Sequence, residues 1–591
     1  MLIRRVMVLP AIALAVALLG APNASAIQFG SGDFTGNVDI TLSYGLTFRA
    51  ADRDTAIIGR QNGGAAHSIN GDNGNLNYNN GDITSNRGKA SFEIDLGYGG
   101  FGFFSRFFTF YDYEIVDGDT RRTALSQEAI DRVGRDLRLL DAYASYFGSL
   151  GSGFIDVRAG NMVLNWGESA FIQGGLNSIN PVDVGLLRGA GSEVKDALTA
   201  VPRIDVAVGA GSRFSAEGYY DITYEETIID PVGTFFSVTD LAGPGGEHVF
   251  LNFGEPFPGG PTDDPPLLGA NAAVVRGDDR LAKDGGQFGV ALRYFEPNLG
   301  DTEFGFYYQH THSRLPLISG MTGTLAGAAG GDYAGSARYF LEYPEDIDVL
   351  GFSLATYVPW TSTALSGEVT YKIDQPLQVD DVELLFAALS PLGQLTDSAK
   401  IFWLNQLGVF GFEEEIPGYR RKDVLQAQVT FTQLFGPGLG ADQSVILLET
   451  GFNHVSDMES QDVLRYDAGG TYTSGTEAFT QVGVQPETES PDGFADDFSW
   501  GYRALARMEF NSAIASVNLI PKVAWLHDVS GNTPAPILNF REGRKTITFG
   551  LAAQYLLAWQ LDLTYSNSFG GGRYNLRADR DFFSASLSYA F

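Results

Sequence analysis

The sequence predicts an all-β protein, a transmembrane antiparallel β-barrel of about 18 strands, with 16 as the alternative count. Three observations lead to this prediction: segments of alternating apolar and polar residues, connections that are alternately short and long, and an aromatic residue at the C-terminus. The alternation directs one face of each strand toward lipid and the other toward a polar interior. Backbone N–H and C=O groups in lipid must be paired within the protein, which a closed barrel achieves.

Composition narrows the classes of protein to consider. The chain has 591 residues and no cysteine, which excludes disulfide frameworks, zinc–thiolate sites and cysteine nucleophiles. Its formal net charge of -32 makes nucleic acid an unexpected partner. The 73 glycines and 13% aromatic residues are typical of many strands joined by turns.

The first 26 residues read as a secretory signal peptide that is cleaved after Ala26. Arg4 and Arg5 form a basic start, an apolar run follows, and small residues precede the cleavage point. A cytoplasmic location is therefore not expected, and residues 27–591 are predicted to form the barrel. We expect that barrel in the outer membrane of a Gram-negative bacterium, in contact with outer-membrane lipid.

The first and last strands show the alternation most clearly. In the first, apolar side chains from Val38 to Phe48 alternate with small or polar ones. In the last, the aromatic and aliphatic residues from Phe583 to Phe591 alternate with Ser584, Ser586 and Ser588. The terminal aromatic strand resembles the assembly signal of bacterial outer-membrane barrels, which implies the barrel assembly machinery as a partner of Phe591.

The connections between strands are sorted by length. Short turns such as 148–153, 209–212 and 435–442 alternate with long connections such as 51–88 and 225–285. Outer-membrane barrels have short periplasmic turns and long extracellular loops, with both termini on the short-turn side. A soluble sandwich has no reason to sort its loops in this way.

Two long connections are too apolar for solvated tips. Residues 165–202 combine apolar residues, an Asn-Pro turn and a short helical pattern, which predicts a hatch folded into the barrel. Residues 380–412 are predicted to form two short helices as an apolar extracellular lid, which packs on itself or guides an apolar substrate. The candidate gate residues are Trp166, Glu168, Asn180, Pro181, Asp183 and Arg188, and the candidate apolar mouth residues are Phe386, Phe402, Trp403 and Phe410.

Charged residues on the polar faces of the strands are candidates for the lining of the lumen. Charges of both signs need water or partners, so they imply a wet lumen or one packed against an inward segment. The alternative is a scaffold of wall ion pairs without a transport role. The candidates are Arg49, Glu93, Asp95, Glu368, Lys372, Arg503, Arg507, Glu509 and Asp562.

No signature of an enzyme or of a metal site emerges. The sequence lacks the nucleophile elbow, the phosphate loop, the dinucleotide fingerprint and the zincin motif. His310 and His312 share a strand face without a third ligand in view, and the acidic loop residues do not match a calcium loop. We therefore expect a protein without catalytic residues, cofactor or metal.

Five segments carry a family resemblance. They are IQFGSGDFTGNVDITLSYG, NGDNGNLNY, LLDAYASYFG, VRAGNMVLNWGESAFIQGGLNSINPVDVGLLR and IDPVGTFFSVTD. Together they resemble proteobacterial envelope proteins grouped as domain of unknown function 1302, and the stretch from NWGES to NPVD is the most specific. The resemblance implies an outer-membrane barrel, often encoded near a periplasmic lipid-carrier-like protein and an inner-membrane exporter, in contexts concerned with hydrophobic compounds.

Three functions compete at this point. The leading one is an outer-membrane channel or transport protein for a hydrophobic or amphipathic small molecule or lipid, with 165–202 as its gate. The second is a general diffusion porin for hydrophilic solutes. The third is a non-transporting envelope scaffold that docks a periplasmic carrier protein.

Overall fold

The computed structural model describes residues 27–255 and 272–591. The predicted signal peptide, residues 1–26, lies outside the described residues. Eighteen antiparallel strands close into a ring, which confirms the predicted barrel and its strand count. In chain order, the barrel strands are β1 (Phe34–Arg49), β2 (Ile83–Tyr98), β3 (Phe101–Asp112), β4 (Arg135–Leu150), β5 (Gly153–Met162), β6 (Val201–Ala210), β7 (Phe214–Asp221), β8 (Phe288–Glu296), β9 (Thr302–Thr311), β10 (Ile347–Val358), β11 (Thr363–Gln378), β12 (Tyr419–Phe435), β13 (Gln443–Val455), β14 (Phe498–Ile514), β15 (Val517–Ser530), β16 (Lys545–Tyr555), β17 (Trp559–Phe569) and β18 (Phe582–Ala590).

The ring closes where β18 pairs antiparallel with β1. Leu42 lies opposite Tyr589, and Arg49 lies opposite Phe582. Every neighbouring pair in chain order is also antiparallel, including β7 with β8 across the longest connection. A short strand, Ile27–Ser31, pairs with the start of β1 beyond the end of β18 and extends the sheet without entering the ring.

The two faces of the wall differ as the alternation predicted. On the outside, Val369, Leu448 and Phe583 are exposed, whereas the inward neighbours Glu368 and Glu449 are buried. Buried inward charges require an interior filled by protein, because an unpaired charge cannot remain there at acceptable free-energy cost. The inner face therefore meets other parts of the chain.

One boundary differs from the sequence prediction. The connection predicted as 51–88 ends earlier, because β2 begins at Ile83. The first residues of β2 are polar on both faces, so they lack the apolar alternation that marks a lipid-facing strand. Their inward side chains are buried instead by loops: the Ser85 hydroxyl donates to Asp112 at 2.5 Å, and Arg87 lies 3.6 Å from the same carboxylate.

The long connections carry short helices and a second sheet. Five short strands form that sheet in the order Glu415–Ile416, Leu317–Met321, Arg338–Glu342, Ala273–Arg276 and His248–Phe250. Among the described residues, no helix is both long and apolar enough to cross a bilayer. The α-helices are Asn73–Leu76, Tyr113–Asp117, Gln127–Ala129, Val184–Leu187, Val194–Ala197, Leu325–Gly330, Tyr333–Ser336, Asp381–Leu389 and Glu477–Gln481, and the longer 3-10 helices are Leu176–Ile179, Ser390–Gln394 and Asp397–Leu404.

Candidate functional site in the barrel lumen

Segment 165–202 is held by two buried carboxylates of the barrel wall. Glu368 of β11 accepts hydrogen bonds from the backbone N–H groups of Glu168, at 2.6 Å, and Leu176, at 3.0 Å. Hydrogen bonds to an ionised acceptor are about twice as strong as neutral ones. Glu368 was a predicted lumen residue, and its partner is the backbone of this segment.

The second carboxylate is that of Glu449 in β13. It accepts hydrogen bonds from the backbone nitrogens of Ala170, Phe171 and Ile172, at 2.7 to 2.8 Å. The sequence prediction missed Glu449 because the strand around it is apolar on both faces. The signal was present, since a single acid in such a strand must find donors inside the protein.

Trp166 anchors the start of the segment in an apolar cluster. Its ring is buried and packs against Tyr219 of β7 at a centroid distance of 5.0 Å and Tyr307 of β9 at 5.6 Å. Leu176 and Ile179 belong to the same cluster. The first half of the segment is therefore fixed to the wall by both apolar packing and hydrogen bonds.

The middle of the segment follows the predicted Asn-Pro turn. Asn180 exchanges hydrogen bonds with the backbone of Leu164, and the carbonyl of Pro181 accepts one from the Thr199 N–H. Asp183 caps helix Val184–Leu187 and also pairs with Arg138 of β4 at 2.8 Å. These contacts bring both ends of the segment to the same side of the lumen.

Ion pairs hold the end of the segment to β2. Lys89 lies 2.5 Å from Asp196, and Lys195 lies 3.0 Å from Glu93. The first pair is fully buried, so removing one partner alone would leave an uncompensated charge. Glu93, a predicted lumen residue, thus faces segment 165–202.

A cavity of about 800 Å³ remains between this segment and the wall formed by β14, β15, β17, β18 and β1. Segment 165–202 contributes the apolar side chains Phe171, Ile172, Val182, Val184 and Leu187, and also the polar or charged side chains Gln173, Arg188, Ser192 and Glu193. The wall contributes hydroxyl groups from Ser43, Thr47, Thr564, Ser584, Ser586 and Ser588, the charged residues Arg503, Lys522 and Asp562, and the apolar residues Leu526 and Phe582. The cavity is therefore amphipathic.

Family membership follows from the sequence as a whole. A family model described as "Protein of unknown function (DUF1302)" matches residues 7–591. The chain belongs to the DUF1302 family. This confirms the resemblance that the five sequence segments carry.

Solved structures similar to this DUF1302 protein include Acinetobacter baumannii OccAB3, with a TM-score of 0.41, 10% identity, and coverage of 94% of this chain and 99% of that one. A BenF-like porin from Pseudomonas fluorescens has a TM-score of 0.40 at 8% identity, covering 94% and 98%. Pseudomonas aeruginosa OpdK with vanillate has a TM-score of 0.36 at 9% identity, with the same coverage of 94% and 98%. No curated protein matches the sequence.

Several of the predicted lumen and gate residues of this DUF1302 protein line the cavity. Arg503 lines it and pairs with Asp528 at 2.6 Å. Asp562 lines it and accepts a hydrogen bond from Gln560. Arg188, a predicted gate residue, lines it as well and pairs with Asp230 at 2.9 Å.

The other predicted lumen residues lie elsewhere on the inner face. Arg49 is fully buried at the loop end of β1, where it pairs with Asp579 at 2.8 Å. Lys372 is buried behind segment 165–202, near Gly174. Asp95 is exposed toward the short-turn end of β2, and Arg507 pairs with Glu509 at the corresponding end of β14.

Glu168 is a titratable group of segment 165–202 whose pKa is displaced toward neutrality. Partial burial, together with the negative charges of Glu303 and Glu368, raises the pKa of Glu168 to about 7. Arg293 opposes this shift only in part. Glu168 therefore changes charge near neutral pH. The Glu368 carboxylate, which accepts a hydrogen bond from the backbone N–H of Glu168, lies beside it.

Segment 380–412 packs against a neighbouring loop. Phe386 is buried, with Phe479 at a ring distance of 4.1 Å and Phe402 at 5.8 Å. Phe410 packs on the adjacent cluster around Leu384. Trp403 is partly exposed, and its indole N–H donates to the Ser390 carbonyl at 2.9 Å.

One group of side chains has the spacing of a metal site. Ligand atoms of His312, Glu345 and Asp346 lie within 4.8 Å of one another. The Lys283 ammonium already pairs with Glu345 at 2.6 Å and Asp346 at 3.5 Å. A cation of the protein thus compensates these carboxylates, and we assign no metal to them.

Proposed function

We propose that this DUF1302 protein is an outer-membrane channel that carries a hydrophobic or amphipathic small molecule or lipid through its lumen. The observation that carries the proposal is the cavity beside segment 165–202. Its volume of about 800 Å³ lies within the range of ligand pockets, roughly 300 to 1,000 Å³. A lining that combines apolar side chains with hydroxyl and charged groups suits a molecule that is itself amphipathic.

The exterior of the barrel supports a location in the outer membrane of a Gram-negative bacterium. Outward residues such as Phe306, Leu350 and Phe549 are exposed along the middle of their strands. An apolar surface of this extent around a closed barrel is stable in contact with lipid, whereas its exposure to water would be unfavourable in free energy. In this setting the short turns face the periplasm and the long connections face outward.

Segment 165–202 is the proposed gate. Its first half is fixed by Glu368 and Glu449. Residues 189–192 lie against β1, β2 and β18, and their hydrogen bonds to β2 are long: Ala190 N–H donates to Ser85 at 3.5 Å, and Arg87 donates to Ser192 at 3.3 Å. An added Cβ at Gly191 would lie 3.4 Å from Cβ of Ser586 and 3.8 Å from Cβ of Ser43. Opening requires this tip to move away from β18 while the two carboxylate anchors hold.

A reversible crosslink tests the gate. The ideal Cβ separation of 3.4 Å lies just below the range of about 3.5 to 4.5 Å found in disulfides, so a small shift of the tip accommodates the bond. The sequence has no cysteine that could interfere. We expect proteoliposomes with oxidised G191C/S586C to take up apolar dyes and alkanes more slowly than the same liposomes after reduction. The comparison of oxidised with reduced protein cancels any strain of Cys at position 191, where φ is +72°.

Two results would contradict this proposal. Equal uptake before and after reduction would remove segment 165–202 as a gate. Uptake of apolar compounds no faster than in protein-free liposomes, with steady conductance and rapid entry of small sugars, would favour a general diffusion porin. The single variants G191C and S586C serve as controls for the substitutions themselves.

Exposed leucines on the short turns favour a second role, docking of a periplasmic partner. Leu439 is 95% exposed and Leu557 is 89% exposed. Both residues also have a positive φ, a backbone conformation that costs about 1 kcal/mol or more for a residue with a side chain. The proposed partner is a lipid-carrier-like protein that works with an inner-membrane exporter. Pull-down from periplasmic extract with L439S/L557S should lose that carrier, and unchanged capture would exclude this surface.

A further inference from the structure

The amphipathic cavity carries a charge that contrasts with the whole protein. Five basic side chains and two carboxylates line it, although the chain has a formal net charge of -32. The basic residues are Arg188, Arg503, Lys522, Arg544 and Arg577, and the carboxylates are Glu193 and Asp562. A pocket with an excess of positive charge is unexpected in so acidic a protein. Charges of one sign repel each other in a partly enclosed space, which is unfavourable in free energy.

Most of these arginines already have a carboxylate. Arg188 pairs with Asp230 at 2.9 Å, and Arg544 and Arg503 share Asp528 at 2.7 and 2.6 Å. Such pairs are expected for a structural role, since a buried carboxylate compensates the guanidinium.

Arg577 is the exception. Within residues 27–255 and 272–591, its guanidinium has no hydrogen-bond or ion-pair partner, yet it lines the cavity beside Arg188 and Arg544. Its side chain is exposed to the cavity. Repulsion by Arg188, followed by desolvation inside the lumen and repulsion by Arg544, lowers the pKa of Arg577 to about 9, and the attraction of Asp230, which pairs with Arg188, opposes this shift only in part. The fold therefore keeps a cation where its neighbours disfavour it.

We propose that Arg577 binds the anionic head group of an amphipathic ligand, whose apolar part lies against Phe171, Ile172 and Leu187. This inference rests on the proposed transport function and specifies its substrate class. A guanidinium presents paired N–H donors that match the two oxygens of a carboxylate or the oxygens of a phosphate. Arg188 and Arg544 are paired with carboxylates but still repel Arg577, and an anionic head group at Arg577 would relieve that repulsion.

The apolar side chains of the cavity would contact the hydrocarbon part of this ligand. Phe171 and Ile172 are fixed through their backbone nitrogens by Glu449, so their side chains are presented from a rigid base. A ligand with an anionic head at Arg577 and a hydrocarbon body along these side chains satisfies both faces of the cavity. A purely apolar ligand would leave the guanidinium without a partner, and a hydrophilic anion would leave the apolar side unused.

Binding to nanodisc-embedded full-length protein, measured by titration calorimetry with empty nanodiscs subtracted, tests this assignment. The probes are 4-butylbenzoate and the matched neutral compound 4-butylbenzamide. We expect Arg577→Gln to weaken benzoate binding about tenfold or more, with benzamide binding unchanged, because one charge-assisted interaction is lost. Arg577→Lys should lie between, since it keeps the charge and loses the paired donors.

Arg507→Gln is the matched control, because it removes the same charge from the inner face outside the cavity lining. Thermal unfolding separates a binding role from a structural one. Removal of Arg577 relieves its repulsion with Arg188 and should leave Tm unchanged or raise it, whereas a structural arginine would lower it. Equal binding of both probes by the wild type, or a benzoate affinity unaffected by Arg577→Gln, would overturn the assignment.

The outcome is separable from that of the gate experiment. Anion binding could fail while uptake of neutral compounds still responds to the G191C/S586C crosslink, in which case the channel remains and its substrate is neutral. To distinguish carboxylate from phosphate, butyl phosphate is titrated in parallel. Tighter binding of either anion than of the amide supports the inference.

Discussion

The carboxylate of Glu449 lies 2.8 Å from the backbone nitrogen of Ile172, although 277 positions separate the two residues in the chain. Two further N–H groups of the same turn, at Ala170 and Phe171, donate to this carboxylate. One wall side chain therefore organises three consecutive backbone donors that would otherwise be buried without partners. The position of Phe171 and Ile172 along the cavity depends on this contact.

Glu449→Gln should loosen the turn at 170–172. The amide has one acceptor instead of two and directs an NH₂ group at backbone donors, which costs on the order of 2 to 4 kcal/mol locally. Hydrogen exchange of the amides of residues 170–172 should accelerate about 30-fold or more, and dye uptake should increase. Glu509→Gln, which alters a carboxylate of the same inner face away from segment 165–202, should change neither. Unaltered exchange in Glu449→Gln would contradict this role.

Gly45 permits the close approach of Ala190 to β1. A Cβ added at residue 45 would lie 2.7 Å from Cβ of Ala190 and 2.8 Å from its carbonyl carbon. Gly45→Ala must displace the tip of segment 165–202, at a cost of roughly 1 to 3 kcal/mol for overpacking. Crosslinking yield of G191C/S586C should fall in the Gly45→Ala background.

The matched control for Gly45→Ala lies on the neighbouring strand. Gly88 is paired opposite Tyr44, and a Cβ there would meet no atom within 4 Å. Gly88→Ala should leave the crosslinking yield and the unfolding midpoint unchanged. If both alanine variants behaved alike, the effect would stem from strand propensity and not from contact with Ala190.

Glu168 makes the start of segment 165–202 sensitive to pH. Its folded-state pKa of about 7 lies above the ordinary value of 4.5. Between these two pH values, the folded protein therefore retains a proton that the unfolded chain releases. Its contribution to stability is therefore most favourable below about pH 4.5, and decreases as the pH rises to about 7. Hydrogen exchange of residues 165–176 should accelerate from pH 5 to pH 8, after correction for intrinsic exchange rates.

Glu168→Gln is the test of that assignment, because the amide is nearly isosteric and does not titrate. The pH dependence of the corrected exchange rates should disappear between pH 5 and pH 8. A pH dependence that persists in Glu168→Gln would locate the titration in another group.

The sequence predicted the wall far better than the lumen. Alternation along Val38 to Phe48 follows from a surface with lipid on one side, so strand number and turn positions could be read directly. The contacts of segment 165–202 with Glu368 and Glu449 join residues that are 200 and 277 positions apart, and no local period encodes them. Glu449 was missed for that reason, although Glu368, which has the same role, stood out in a regularly alternating strand.

Arg577 was missed for a different reason. It lies in a polar loop, 570–581, where an arginine is ordinary, and its significance arises only from its neighbours Arg188 and Arg544. Those residues come from two other connections. The start of β2 was also missed, because strand residues that extend above the lipid bury their inner face against loops and carry no apolar outer face.

The C-terminal residue closes the barrel through its backbone. Phe591 and Ile40 exchange two backbone hydrogen bonds, at 2.8 and 2.9 Å, at the end of the seam between β18 and β1. Deleting Phe591 removes both bonds and the ring contact with Tyr589, a loss of about 1 to 3 kcal/mol at the seam. The folded fraction in outer-membrane preparations, read from heat-modifiable gel migration, should fall. Phe591→Tyr should retain it.

Because the cavity lies among Ser584, Ser586 and Ser588, farther along β18, the protein that does fold should take up dye at the normal rate per molecule. A normal folded fraction with reduced uptake would instead assign Phe591 a role in transport.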